Sequence, residues 1–242
     1  MGLFSAVLHI RDVPGERVVA VLVELLRTRG FELDQDRAVP ETGPRALLPA
    51  RATADAHYLV AHVHPWTIII EAQFVEGVPL AGLGADLSRA LDSYALTLNV
   101  HDDDLFLYDL DKSGKSLDGY NSCPQYFEND PLSEDFIESQ RHTPEEFLPL
   151  LNSEHELAAL RALLARGWWS AHDSGRLDEN GVVLDDDRDD SFVFEGDRMT
   201  EFGTLLGLHG AQGEYPYAGW LDDDAKIQWG RFRSLTFLSN RS

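Results

Sequence analysis

The sequence predicts an α+β fold in which a largely antiparallel sheet carries helices packed on one face. Short apolar runs with a two-residue period alternate with two helical patterns, and hairpin connections join neighbouring strands. The expected order is β-α-β-β-α-β-β, followed by a mainly helical, aromatic-rich C-terminal part. We therefore expect an α+β domain over residues 1–128 and a mixed, mainly helical region over residues 129–242.

The first strand and helix are clear local patterns. Residues 4–10 form a mainly apolar run, which predicts an interior strand. Pro14 suits a first helical turn, and apolar residues then recur at helical spacing until Gly30 ends the helix. Residues 34–56 contain several prolines and predict an exposed loop with little regular structure.

The middle of the chain predicts a hairpin followed by a second helix. Residues 58–64 and 67–75 are two strand-like runs joined at Pro65 and Trp66. An amphipathic pattern over residues 80–94 predicts a helix, and residues 95–100 predict another strand.

Residues 102–127 are the most distinctive stretch. An alternating run over residues 105–110 predicts a buried strand, and Gly114 can adopt the positive φ that a hairpin turn requires. The chain is expected to return over residues 116–120, and Pro124 then ends the strand because it cannot donate to a ladder.

The second part alternates helical patterns with irregular segments. Residues 144–151, 153–166 and 198–208 predict helices, and residues 233–238 predict a strand or a docked extension. The acid-dense segment over residues 171–190 is expected to be mobile.

Charge limits the classes of partner. The chain carries 20 Lys and Arg against 42 Asp and Glu, a formal net charge of −22. Such a surface lacks the basic clusters that nucleic acid requires and is repelled by anionic membranes, so a protein partner with basic character is expected. Cys123 is the single cysteine, and no signal peptide is evident, so a reducing, cytoplasmic setting is expected.

Two metal patterns occur, each with an ordinary structural alternative. Asp109, Asp111, Ser113 and Gly114 match the start of a calcium loop, but Tyr120 stands where a bidentate carboxylate is needed, which favours a hairpin turn. His62 and His64 share one side of a strand and define a hypothetical metal-dependent enzyme with Asp102, Asp103 and Asp104. Surface or packed histidines are the default interpretation, and no cofactor is expected.

Residues 102–127 also contain acidic and aromatic side chains that could form a contact surface for a partner protein. Acidic runs occur at residues 102–104, 185–190 and 222–224, and together they can present a negative face. The interaction candidates are Asp102, Asp103, Asp104, Asn121, Tyr126 and Phe127. Cys123 has no local base or cation to activate it, so it is expected to fill a turn.

The same stretch, with its acidic pair, aromatic strand, Gly114, Asp118 and a Y-N-S-x-P-x-Y-F segment, resembles a family of uncharacterised bacterial proteins. The resemblance extends to residues 87–100 and 204–209. It implies a bacterial, cytosolic protein and brings no activity, cofactor or site with it.

These features favour a non-enzymatic cytoplasmic protein-binding module with an acidic interaction surface. An immunity-type inhibitor of a basic toxin is one concrete version. The alternatives are the metal-dependent enzyme on His62, His64 and the three aspartates, and a structural or regulatory partner without surface chemistry. The oligomeric state stays open.

Overall fold

In its described residues the protein has an α+β fold built on one eight-stranded antiparallel sheet, which confirms the predicted class. A computed structural model describes residues 4–41, 55–73, 80–101, 105–123, 133, 142–151, 153–165, 195–208 and 231–239. The strands are β1 Phe4–Arg11, β2 Phe31–Ala38, β3 Ala56–Val63, β4 Trp66–Gln73, β5 Tyr94–His101, β6 Leu105–Lys112, β7 Lys115–Asn121 and β8 Arg233–Ser239. The described helices are α1 Gly15–Thr28, α2 Leu80–Leu91, the 3-10 helix η1 Pro144–Leu150, α3 Glu154–Ala165 and α4 Glu195–Leu205.

The sheet runs in the order β2-β8-β3-β4-β1-β5-β6-β7, so β1 and β4 lie at its centre. Val7 of β1 is paired with Ile70 of β4 on one side and with Leu98 of β5 on the other. Because successive side chains in a strand point to opposite faces, these apolar central strands bury both faces of the sheet.

Helices α1 and α2 cover the first face. Val18, Val19, Leu22 and Leu26 of α1 are buried there, at the i, i+3, i+4 spacing that places residues on one side of a helix. Gly30, with φ of +85°, follows the helix where a residue in the left-handed region is needed. Leu83 and Leu87 of α2 join the same buried cluster.

Helices η1, α3 and α4 cover the second face, and we call them the helical layer. Phe147 of η1, Leu160 of α3 and Phe202 of α4 belong to one buried cluster with Ile68 and Tyr108 of the sheet. Helices therefore lie on both faces of the sheet: α1 and α2 share one face, and the C-terminal helices cover the other. Both faces of the central strands are apolar, so each requires its own cover.

Strand β2 occupies part of the segment that was expected to be a loop. Residues 31–38 pair with β8 at the edge of the sheet, so the loop prediction for residues 34–56 is wrong over residues 34–38. An edge strand is exposed on much of its surface, and Phe31 and Leu33 are the residues of this strand that pack in the buried cluster. Residues 42–54 lie outside the described part of the chain.

Strand β8 brings the C-terminal part into the sheet. It lies between β2 and β3, with Leu235 and Phe237 in the cluster beneath α1. The last apolar run is thus a strand, and the sheet takes residues from both sides of the boundary expected at residue 128. The segment at 171–190, expected to be mobile, lies outside the described residues.

The hairpin between β6 and β7 has the turn that its sequence predicts. Lys112 pairs with Lys115, and both intervening residues have positive φ, +50° at Ser113 and +80° at Gly114. This is the pattern of a two-residue turn that matches the twist of the flanking strands.

We expect Leu235→Ala to lower the free energy of unfolding by about 2–5 kcal/mol, because the buried side chain leaves a cavity. Leu238→Ala, in the same strand at a side chain that is 40% exposed, should cost less than about 1 kcal/mol. Urea denaturation measures both. Equal losses would contradict the position of β8 inside the sheet.

Candidate functional site

Tyr108 and Asp118 form a buried hydrogen-bonded pair that connects the sheet to the start of the helical layer. The Tyr108 hydroxyl donates to Asp118 Oδ2 at 2.6 Å, and the Thr143 backbone N–H donates to Oδ1 at 2.6 Å. Burial raises the pKa of Asp118, while these two hydrogen bonds act in the opposite direction. Burial and the neighbouring carboxylate also raise the pKa of Tyr108, so its hydroxyl keeps the proton that it donates.

Arg198 joins the two longer helices of the layer to β7. Its side chain is buried, with 1% exposed, and Nη1 donates to Tyr120 Oη at 2.8 Å and to the Leu163 carbonyl at 3.1 Å. Tyr120 Oη in turn donates to the Leu164 carbonyl at 3.0 Å. A buried guanidinium is costly without acceptors, so these bonds fix α4 against the end of α3.

Aromatic rings fill the space beside this network. Tyr108 stacks on Tyr120, with ring centroids 5.5 Å apart, and on Phe202 at 5.1 Å. Phe147 of η1 meets Tyr108 edge to face at 5.3 Å. The ring contacts thereby pack η1 and α4 against β6 and β7.

A groove lies between α3 and α4. It has a volume of about 430 Å³, and its walls come from one strip of each helix at i, i+3, i+4 spacing. The lining residues are Ala159, Ala162, Leu163, Thr200, Glu201, Thr204 and Leu205. Most of these side chains are small or apolar, so the α3–α4 groove is an open, largely apolar trough and is the candidate functional site.

Among the charged side chains described for the helical layer, acidic residues outnumber basic ones. Arg161 and Arg198 are the only Lys or Arg among the described residues of the helical layer, and Arg198 is buried. Arg161 donates to Glu145 Oε1 at 3.0 Å from Nε, and this hydrogen bond lowers the pKa of Glu145. The layer's acidic side chains of known exposure are Glu145, Glu146, Glu154, Glu156 and Glu201.

Two carboxylates, Asp109 and Asp111, lie on the opposite face of the sheet, and Asp111 lies close to α2. Burial raises the pKa of Asp109, and burial together with the charge of Asp109 raises the pKa of Asp111 to about 6. Gly84 of α2 packs closely here: a Cβ at that position would lie 2.8 Å from Thr97 Oγ1 and 3.4 Å from Asp111 Oδ2. The pair is part of the helix–sheet contact, and the ionised form of Asp111 weakens that contact.

Of the six predicted interaction residues, only Asn121 lies in the part of the chain that the structure describes. The segment between β5 and β6, which contains Asp102, Asp103 and Asp104, lies outside the described residues. Tyr126 and Phe127, which follow β7, also lie outside them. Asn121 ends β7, is half-buried, and accepts a hydrogen bond from the Cys123 backbone N–H at 2.9 Å through its side-chain oxygen. Its amide oxygen therefore supports a local turn, in which Cys123 also takes part.

The two predicted metal patterns have structural roles in the described residues. His62 Nδ1 lies 2.8 Å from Thr67 Oγ1, and His64 is exposed in the β3–β4 turn. No group of three or more His, Cys, Asp or Glu side chains in the described part of the chain is arranged to hold a metal ion. Residues Asp109–Gly114 form the end of β6 and the hairpin turn, which is not the helix–loop–helix context of a calcium loop.

Comparisons with protein-family models, with curated proteins and with solved structures found no match. The resemblance to a bacterial family therefore stays an expectation. No helix within the described ranges is both long and apolar enough to cross a bilayer.

Sequence reasoning did not find Arg198 or the α3–α4 groove. The helical patterns around both were evident, but an arginine in an amphipathic pattern is ordinarily assigned to the solvent face. The available signal for the groove was the short side chains of Ala159 and Ala162 on a helix whose other face is rich in leucine.

We expect Tyr120→Phe to destabilise the protein by about 1–3 kcal/mol, because the buried Arg198 loses an acceptor and the Leu164 carbonyl loses a donor. Tyr94→Phe is the matched control, since its hydroxyl bonds the exposed Lys112 and should contribute less than about 1 kcal/mol. Urea denaturation separates the two. A neutral Tyr120→Phe would show that the guanidinium does not depend on this hydroxyl.

Asp111 should make stability fall as the pH rises. Its carboxyl group ionises near 3.8 when unperturbed and near 6 in the folded chain, so between these values the folded state binds more protons than the unfolded state. Asp111→Asn removes this titration, and the stability of the variant relative to wild type should increase from about pH 4 to about pH 6.5.

Denaturation curves at several pH values measure this difference. Glu146→Gln, at an exposed acid on the other side of the molecule, controls for the loss of one negative charge. A pH-independent difference between wild type and Asp111→Asn would contradict the raised pKa.

Proposed function

We propose that the chain is a non-enzymatic protein-binding module that engages a basic partner protein through its acidic surface. A toxin-neutralising immunity protein is one concrete form of this function. The observation that carries the proposal is the formal net charge of −22. In addition, most described arginines form ion pairs with carboxylates of the same chain. The acidic interaction surface includes Asp102, Asp103 and Asp104 as proposed contacts.

Most described arginines are engaged by the chain's own carboxylates. Six of them form ion pairs with Asp or Glu: Arg11, Arg27, Arg29, Arg89, Arg161 and Arg233. A seventh, Arg198, is buried inside the helical layer. The positive charges thus offset neighbouring acids locally, and the excess of 22 negative charges is left to act on the surroundings.

An excess of this size creates a negative potential at the surface that attracts a positively charged protein before contact. Such attraction raises association rates, and it weakens as salt shortens the Debye length to about 8 Å at physiological ionic strength. Exposed ion pairs within the chain contribute little to its stability, so the acidic surface is better explained by association than by folding.

Immobilised protein should capture a basic protein from a bacterial lysate, and the complex should dissociate between about 0.1 and 0.5 M NaCl. With that partner purified, Glu145→Gln, Glu146→Gln and Glu154→Gln combined should lower the association rate several-fold, because three negative charges are lost. Stopped-flow or surface-binding kinetics at two ionic strengths provide the measurement.

Lys112→Gln combined with Lys115→Gln is the opposite control, since both side chains are exposed and the double variant makes the chain more negative. It should leave the association rate unchanged or raise it. Failure to recover a basic partner, or an association rate that is insensitive to salt and to both sets of variants, would remove the proposal.

A further inference from the structure

A buried hydroxyl lies between α2 and the sheet without a hydrogen-bond partner. Thr97 of β5 is 0% exposed, and its Oγ1 atom has no partner in the described part of the chain. A Cβ placed on Gly84 of α2 would lie 2.8 Å from this oxygen and 3.4 Å from Asp111 Oδ2, so both oxygens face the same space under the helix. An unpaired buried hydroxyl is destabilising, and its presence here indicates a bound group that uses its lone pairs.

Two carboxylates are neighbours of this hydroxyl. Asp109 is directly opposite Thr97 in the β5–β6 ladder, and Asp111 follows on the same face of β6. Side chains directly opposite each other in an antiparallel pair have Cβ atoms about 4.5–5.5 Å apart. Gly119, which is paired with Asp109 in β7, is exposed and has no side chain, so water can reach Asp109 from that edge.

The two carboxylates receive no direct neutralising contact. Among the described residues, none donates a hydrogen bond to Asp109 or Asp111 or forms an ion pair with them. Arg89 is close enough to act against the raised pKa of Asp111, but its guanidinium donates to Asp86 and to the Gly114 carbonyl. Burial raises the pKa of both carboxyl groups, and a cation between them would offset that cost.

We propose that Thr97, Asp109 and Asp111 bind one hydrated divalent cation of the Mg²⁺ type between α2 and the sheet. Carboxylate, hydroxyl and water oxygens suit such cations, and Mg²⁺ commonly binds through one or two carboxylates while it keeps several waters. Two carboxylates balance its charge, Thr97 supplies a neutral oxygen, and water completes the coordination from the Gly119 edge. The site goes beyond the proposed function, because it lies on the face of the sheet that α2 covers and needs no partner protein.

Mn²⁺ has the ligand preference of Mg²⁺ and is the probe, because its electron paramagnetic resonance signal distinguishes free from bound ion. In 0.15 M KCl, which screens weak binding to exposed acids, wild type should bind one Mn²⁺ per chain with a Kd below about 1 mM, and Mg²⁺ should displace it. Asp109→Asn and Asp111→Asn should each weaken binding at least about tenfold. Glu146→Gln, at an exposed acid of the helical layer, is the charge-matched control and should bind as wild type does.

Thr97→Val distinguishes a ligand from a residue that only packs. In EDTA this variant should be at least as stable as wild type, because it removes a buried hydroxyl that has no partner. It should nevertheless bind Mn²⁺ at least about tenfold more weakly. Saturating Mn²⁺ should raise the Tm of wild type by a few degrees and that of Thr97→Val by less, since a ligand of the folded state stabilises it according to its affinity.

Circular dichroism confirms that each variant is folded. Mn²⁺ binding that is equal in wild type and in any of Thr97→Val, Asp109→Asn and Asp111→Asn would indicate an adventitious ion only and overturn the inference. A loss of stability by Thr97→Val in EDTA would also overturn it, because the hydroxyl would then have a partner within the chain. Neither result bears on the binding of a basic protein to the acidic surface.

Discussion

The structure depends on one constraint: the central strands of the sheet are apolar on both faces, and neither face can be left in water. Helices α1 and α2 satisfy this requirement on one side, and the helical layer satisfies it on the other. The chain therefore needs its C-terminal part to complete the fold. The sheet also requires this part of the chain, because strand β8 lies between β2 and β3 and buries Leu235 and Phe237.

The helical layer is attached by polar as well as apolar contacts. Tyr108, Asp118, Tyr120 and Arg198 form hydrogen bonds that have directions, whereas packing alone allows a helix to slide or rotate. The same bonds determine the distance between α3 and α4. In this way the network fixes the position of α4 against α3 and β7.

Local patterns predicted much of the sheet. The alternation in β6, the turn at Ser113 and Gly114, and the helical spacing of α1 depend on neighbouring residues and were therefore readable from the sequence. Strand β2 could not be predicted from local sequence, because an edge strand with four charged residues lacks the apolar alternation that identifies a strand. Its pairing with β8 also joins residues that are nearly 200 positions apart in the chain. The role of Arg198 could not be predicted for the same reason: its hydrogen-bond acceptors lie on β7 and α3, far from it in the chain.

Our central proposal is that the acidic helical layer, which covers one face of the sheet, is the docking surface for a basic protein. Amide hydrogen exchange, measured by mass spectrometry with and without the captured basic partner, tests it most directly. The partner should slow exchange in residues 154–165 and 195–208, while exchange in α1 and α2 is unchanged. Slowed exchange confined to α1 and α2, or to no segment of the helical layer, would contradict it.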